Sequence, residues 1–183
     1  MTIRRFLLSA ALVAAVAVGP AIADCLATGR ADDGGTRMIA ARAEAGDPAA
    51  QYRLAWAYQD GLFVAANAAT AARLYRAAAE QGHPGAQAAL AARQHAEGDF
   101  AGARTWAEAA AGHGSTEAAY LLGRIHSRGD GVEIDPAAAF RWFLQAELQG
   151  HVVARHERRA VPRLVPADER RAIAATLSAA TDR

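Results

Sequence analysis

The chain has 183 residues, 20 of them basic and 19 acidic, and every basic residue is an arginine. Charge so evenly matched gives no footing for general nucleic-acid binding, and the single cysteine, Cys25, excludes an intramolecular disulfide. Hydrophobic residues make up 52% of the chain, more than half of them alanine, and alternating Val/Ile runs are missing after residue 23, which favours thin, closely packed helices over a β-sheet.

Residues 1–23 have the pattern of a cleaved signal peptide. Arg4 and Arg5 precede an apolar run from Phe6 to Val18, and Ala21-Ile22-Ala23 forms a small-x-small cleavage site. A periplasmic or secreted protein is expected. Arg4-Arg5-Phe6-Leu7-Leu8 also loosely fits a twin-arginine signal, so both the general secretory and the twin-arginine export routes stay open. The apolar run is too short and wrongly flanked for a stable transmembrane helix. Asp24 before Cys25 argues against a lipid anchor. Without Arg4 and Arg5 the count is 18 basic against 19 acidic residues, a net charge of −1.

Residues 24–35 lack helical periodicity and read as a flexible leader, with Asp32-Asp33-Gly34-Gly35 too short for a calcium loop. Thr36 then caps a helix running to about Ala45, with Met38 and Ile39 placed to cover the first repeat. Helix pairs are expected at roughly 48–60 with 67–81, 84–96 with 99–111, and 115–128 with 136–149. Two more helices follow at about 151–161 and 167–180. Pro162 and Pro166 bracket the turn between them, Asp168 and Glu169 favour a helix start, and Ile173 with Leu177 would seal the array.

A repeat organises these helices. Closing glycines fall at Gly46, Gly82, Gly114 and Gly150, at intervals of 36, 32 and 36 residues. Four positions later stand Ala50, Ala86, Ala118 and Ala154. Leu54, Leu90 and Leu122 come four after that, each followed by a small residue, Ala55, Ala91 or Gly123. The second helices align Ala71, Ala103 and Ala139, then Leu74, Trp106 and Trp142, which read as knobs between repeats.

The stretch from Ala118 to Gly150, with its Leu-Gly, Gly-x-Gly-Val-x-x-Asp and Ala-x-x-Trp segments, resembles the Sel-one-like repeats (SLR), relatives of tetratricopeptide repeats. Ala50 to Gly82 fits as well, with Tyr58, Tyr75, Ala78, Ala79, Gln81 and Gly82 in place. The resemblance implies an all-α fold, a right-handed α-solenoid of antiparallel helix pairs spanning residues 36–181. It would hold about three full repeats (46–81, 82–113, 114–149) between an N-terminal capping helix and terminal capping helices at 150–181. Three departures stand out. Phe63 and Asn67 replace a glycine and an aspartate, and Glu97-Gly98-Asp99 must make a turn that lacks four residues. Arg158 occupies a leucine slot, as a polar cap on a terminal element would.

No constellation for catalysis emerges. His83 and His151 directly follow closing glycines and His113 lies beside one, so all three read as turn residues, and His126 sits in an aromatic packing slot. No histidine pair has metalloprotease spacing and no Cys-x-x-Cys occurs, so neither a metal nor a cofactor is expected. Ser115, Ser127 and Ser178 lie in no nucleophile elbow, and no phosphate loop is present. The protein is not expected to be an enzyme.

In tetratricopeptide solenoids the first helix of each pair lines an inner groove. Carried over, that implies a partner-binding groove of Tyr52, Trp56, Gln59, Asp60, His95, Tyr120, Arg124, Ser127, Arg128 and His156. Aromatic and arginine side chains dominate binding hot spots. The other reading of Tyr52, Trp56 and Tyr120 is packing between helices. Arg155, Arg158, Arg159, Arg163, Arg170 and Arg171 form a secondary basic patch, suited to an acidic partner or to a solvated terminal face. The function expected is an exported adaptor that binds a protein or peptide partner in the cell envelope. The alternatives are an envelope enzyme or β-lactam-binding protein, or an adaptor in cell-wall or exopolysaccharide assembly. The β-lactam link belongs to cysteine-rich relatives, and this chain has no cysteine in its repeats.

Overall fold

A computed structural model describes residues 35–161 and 164–181. The regular elements among the described residues are all helices, with no strand among them. In chain order the helices are α1 (Gly35–Glu44), α2 (Pro48–Asp60), α3 (Ala68–Glu80), α4 (Pro84–Glu97), α5 (Phe100–Gly112), α6 (Thr116–Arg128), α7 (Pro136–Leu148), α8 (Val152–Ala160) and α9 (Ala167–Thr181). Each boundary falls within two residues of its sequence expectation. The signal peptide, the leader up to Gly34, Pro162 and Arg163 lie outside the described residues.

Local chemistry sets these boundaries. Asp47 caps α2 by accepting from the amides of Ala49 and Ala50, and Pro48 occupies the first turn, where no amide partner is needed. Asn67 caps α3 through Thr70 N at 3.0 Å, just as Asp135 caps α7 through Ala138 N at 2.9 Å. The Asn-for-Asp departure therefore keeps its function. Between α4 and α5 only Gly98 and Asp99 remain, and Asp99 caps α5 by accepting from Gly102 N at 3.0 Å. The shortened turn thus closes with the residues the sequence offered.

The helices group into two compact units that divide within α4, one ending at Ala86 and the other beginning at Gln87. In the first unit α1 packs on α2 and α2 on α3. Its buried residues include Ala40, Ala43, Leu54, Ala55, Tyr58, Leu74, Tyr75 and Ala78. α1 buries Thr36, Ala40 and Ala43, while Met38 is 63% exposed. This corrects the expected covering role of Met38. With about 3.6 residues per turn, a helix that turns positions 36, 40 and 43 inward turns 38 outward.

In the second unit α5 packs on α6, α6 on α7, and α7 on both α8 and α9. Its core contains Ala91, Ala107, Ala119, Leu122, Ile125, Ala139, Phe140, Phe143 and Ala154. Trp106 and Trp142 are only partly buried against it, whereas Phe143 is fully enclosed. The knob expected at Trp142 is one residue further on. Ile173 of α9 packs against this core, and Leu177 shares a shallow pocket with Gln145, Leu148 and Gln149, as expected of a sealing helix.

Candidate functional site

The candidate groove residues of the first unit lie on α2. Tyr52 is half-buried, because His83 stacks on its ring with centroids 4.6 Å apart and planes 23° apart. Tyr75 tilts against it at 5.8 Å. A Cβ on Gly85 would come 3.0 Å from the Tyr52 ring, so that glycine makes room for the tyrosine. Burial, reinforced by Tyr52 and Asp60, pushes the Tyr75 hydroxyl up to about 12. Trp56, one turn after Tyr52, is 50% exposed. Gln59 and Asp60 are exposed, with Gln59 Nε2 donating to Asp60 Oδ1 at 3.3 Å.

Two exposed residues that the sequence reading did not place in a site follow directly: Leu62 and Phe63. Phe63 has φ +61°, and among the described residues no other non-glycine residue has a positive φ. Its counterpart in the third repeat, two residues after the helix-ending glycine, is Gly131 at φ +69°. An L-residue in this region costs about 1–2 kcal/mol. The departure noted in the sequence is thus a strained, solvent-facing aromatic.

In the second unit Tyr120 repeats the arrangement of Tyr52. His151 stacks on it with centroids 4.3 Å apart and planes 17° apart, and Phe143 tilts against it at 5.8 Å. Arg124 stands over the ring, Cζ 6.0 Å from the centroid. Ser127 Oγ donates to the Arg124 carbonyl at 3.0 Å, and Arg128 and His156 are exposed. His95 is set apart from these by its own partners. Its Nε2 meets Asp130 Oδ2 at 2.8 Å, and its ring lies edge-on to Phe100 at 5.3 Å.

The turn histidines take the structural part expected of them. His83 Nδ1 accepts from Ala86 N at 3.3 Å and His151 Nδ1 from Ala154 N at 3.1 Å, so each caps the helix that begins after it. Burial pulls the His83 pKa down against the opposing pull of Asp47. His113 bridges to Gln87 Oε1 at 3.1 Å. His126 is half-buried in its packing slot, and burial lowers its pKa too.

The basic patch is less uniform than its spelling. Arg155 and Arg158 both donate to Glu147 at the end of α7, at 3.0 and 2.5 Å, and these arginines hold the Glu147 carboxyl below its usual range. Arg158 also stands over Phe140 at 5.4 Å, so its leucine slot is filled by a packed, ion-paired side chain instead of a solvated cap. Arg159 and Arg171 are exposed, and Arg170 is partly buried. Arg163 lies outside the described residues. Among the described residues no three His, Cys, Asp or Glu side chains are grouped to hold a metal ion.

Residues 48–83 and 116–151 match the family described as Sel1 repeat. The interval left between them is the repeat with the shortened turn. Among solved structures the chain is similar to a Sel1 repeat protein from Oxalobacter formigenes, with 33% identity, coverage of 69% of this chain and 98% of that one, and a TM-score of 0.63. It also aligns with a protective antigen of uropathogenic Escherichia coli that displays an SLR fold. There the identity is 23%, the coverage 90% of this chain and 44% of that one, and the TM-score 0.46. No curated protein sequence matches the chain.

Proposed function

The chain belongs to the Sel1 repeat family, and from that premise we propose that it is an exported adaptor that holds a protein partner on the open faces of its repeat-opening helices. Sel1 repeat proteins generally bind protein partners and are generally non-catalytic scaffolds. The observation that carries the reading is Trp56. It is half exposed on a helix whose opposite side is buried through Leu54, Ala55 and Tyr58. Burying the half of the indole that is still in water is worth about 1–2 kcal/mol, which a partner can recover. Leu62 and Phe63 extend the exposed apolar surface of the same unit. The periplasmic location rests on the pattern of residues 1–23.

A photo-crosslinking residue at position 56 tests the adaptor in intact cells. Capture of a discrete protein from position 56, lost when Phe63 is replaced by serine, supports it. Absence of any adduct from positions 56 and 124 removes it. Mass spectrometry of the protein recovered from the periplasm tests export, and a mature chain starting at Asp24 is expected. Recovery of an unprocessed chain from the cytoplasm overturns that part.

A further inference from the structure

Tyr120, Arg124 and Arg128 follow one another at one-turn spacing and so share a stripe along α6. The tyrosine is held by His151 and Phe143, and Arg124 is half-buried over its ring. Neither arginine forms an ion pair among the described residues. Of the carboxylates nearest in sequence, Asp130 is engaged, Glu117 is distant along the axis, and Glu133 is exposed in the turn after α6 and forms no ion pair among the described residues. Asp130 is taken by His95. Glu117, beside Ser115 Oγ, lies about 10 Å along the axis from Arg124. The same register positions on α2 hold Tyr52, Trp56 and Asp60, so only the second unit presents cations there.

We propose that this stripe binds an extended, carboxylate-bearing peptide segment of the protein partner, with acidic side chains two residues apart. The spacing carries the proposal. Residues four apart on a helix rise about 6 Å, and alternate side chains of an extended strand are about 6.6 Å apart. Carboxylates at positions i and i+2 therefore come into register with Arg124 and Arg128, each able to form a charge-assisted hydrogen bond. Arg124 is already ordered by Tyr120, which lowers the entropy lost on binding. A long polyanion or an anionic membrane is a poorer match. Glu117 and Glu133 flank the stripe in sequence, and the chain without its first 23 residues carries a net charge of −1.

The proposal rests on the protein-binding reading above, and a displayed library of random peptides selected on the purified chain separates the two. Enrichment of acidic-x-acidic segments is expected, with affinity falling at least tenfold in Arg124→Gln/Arg128→Gln and weakening as salt rises. Circular dichroism and a denaturation midpoint confirm that the variant is folded. Selected peptides without paired acids, or peptides bound equally by the double variant, overturn the proposal. Anionic vesicles that outcompete the selected peptides overturn it as well. If position 56 still captures a protein while the acidic preference is missing, this inference fails and the adaptor stands. If neither position 56 nor 124 captures a protein, the adaptor itself fails.

Discussion

The ring of Phe143 fills the place where a side chain on Gly123 would begin: a Cβ there would lie 2.5 Å from Cδ1 and 2.6 Å from Cε1. α6 and α7 approach this closely because one residue has no side chain and the other has a flat one. At the same register the second repeat has Ala91 and Ala107, both fully buried in the same core. The two solutions fill one slot in opposite ways.

Gly123→Ala is therefore expected to destabilise the second unit by about 1–3 kcal/mol of overpacking, even though alanine favours the helix by about 1 kcal/mol. Phe143→Ala alone should cost about 3–5 kcal/mol. The double variant recreates the two alanines of the second repeat and should be less destabilised than the sum of the single changes. Urea denaturation of all four proteins measures the coupling. Strict additivity would show that the two residues do not share this space.

The His83 cap makes stability depend on pH. Nδ1 accepts from Ala86 N only while the ring is neutral, and burial already lowers its pKa below 6.5 despite Asp47. The unfolded state thus binds the proton more readily, so the stabilisation is complete above pH 6.5 and declines as pH falls through the lowered folded value. His126, also lowered, adds in the same direction, with Asp135 and Glu108 opposing and Arg141 and Arg104 reinforcing. His83→Asn keeps a cap and removes one titration. Its denaturation midpoint should fall less than that of the parent between about pH 7.5 and pH 5. Parallel pH profiles would count against the capping role.

Glu147 ties α8 to α7 through two arginines. Its lowered pKa means that this contribution is full above 4.5 and disappears as pH falls through the lower folded value. Glu147→Gln should cost about 1–2 kcal/mol near neutral pH and flatten the acid limb of the stability curve. Loss of protection in α8 amides by hydrogen exchange provides the check. Unchanged exchange would make the pair ornamental.

Phe63→Gly is expected to raise stability by about 0.5–1 kcal/mol, the relief of left-handed strain exceeding the entropy cost of glycine. The same change should weaken capture from position 56, because it removes an exposed aromatic. Stability that rises while capture is unaffected would leave Phe63 outside the binding surface.

Much of this architecture is written in local chemistry. Closing glycines, acidic or amide caps and the alanine-leucine register mark where each helix starts and stops, because those preferences depend on neighbours within one turn. The periodic positions of His83 and His151 also exposed their role at the turns. Their stacking on Tyr52 and Tyr120 was not legible, since it joins residues 31 positions apart. The same is true of Glu147, which meets arginines eight and eleven residues away across a turn.

The sequence alone thus determined the helical repeat and its register. Tertiary structure decided which side chains are available for recognition. Trp142 and Phe143 are neighbours of similar chemistry, about 100° apart around one helix; Phe143 shares the buried face of Ala139 and Ala146, and the gap at Gly123 makes room for its ring in the core. Tyr52 and Trp56 share a stripe of α2, yet His83 covers one ring and leaves the other exposed. Helix formation is governed by contacts close along the chain; exposure is governed by whatever the rest of the fold brings alongside.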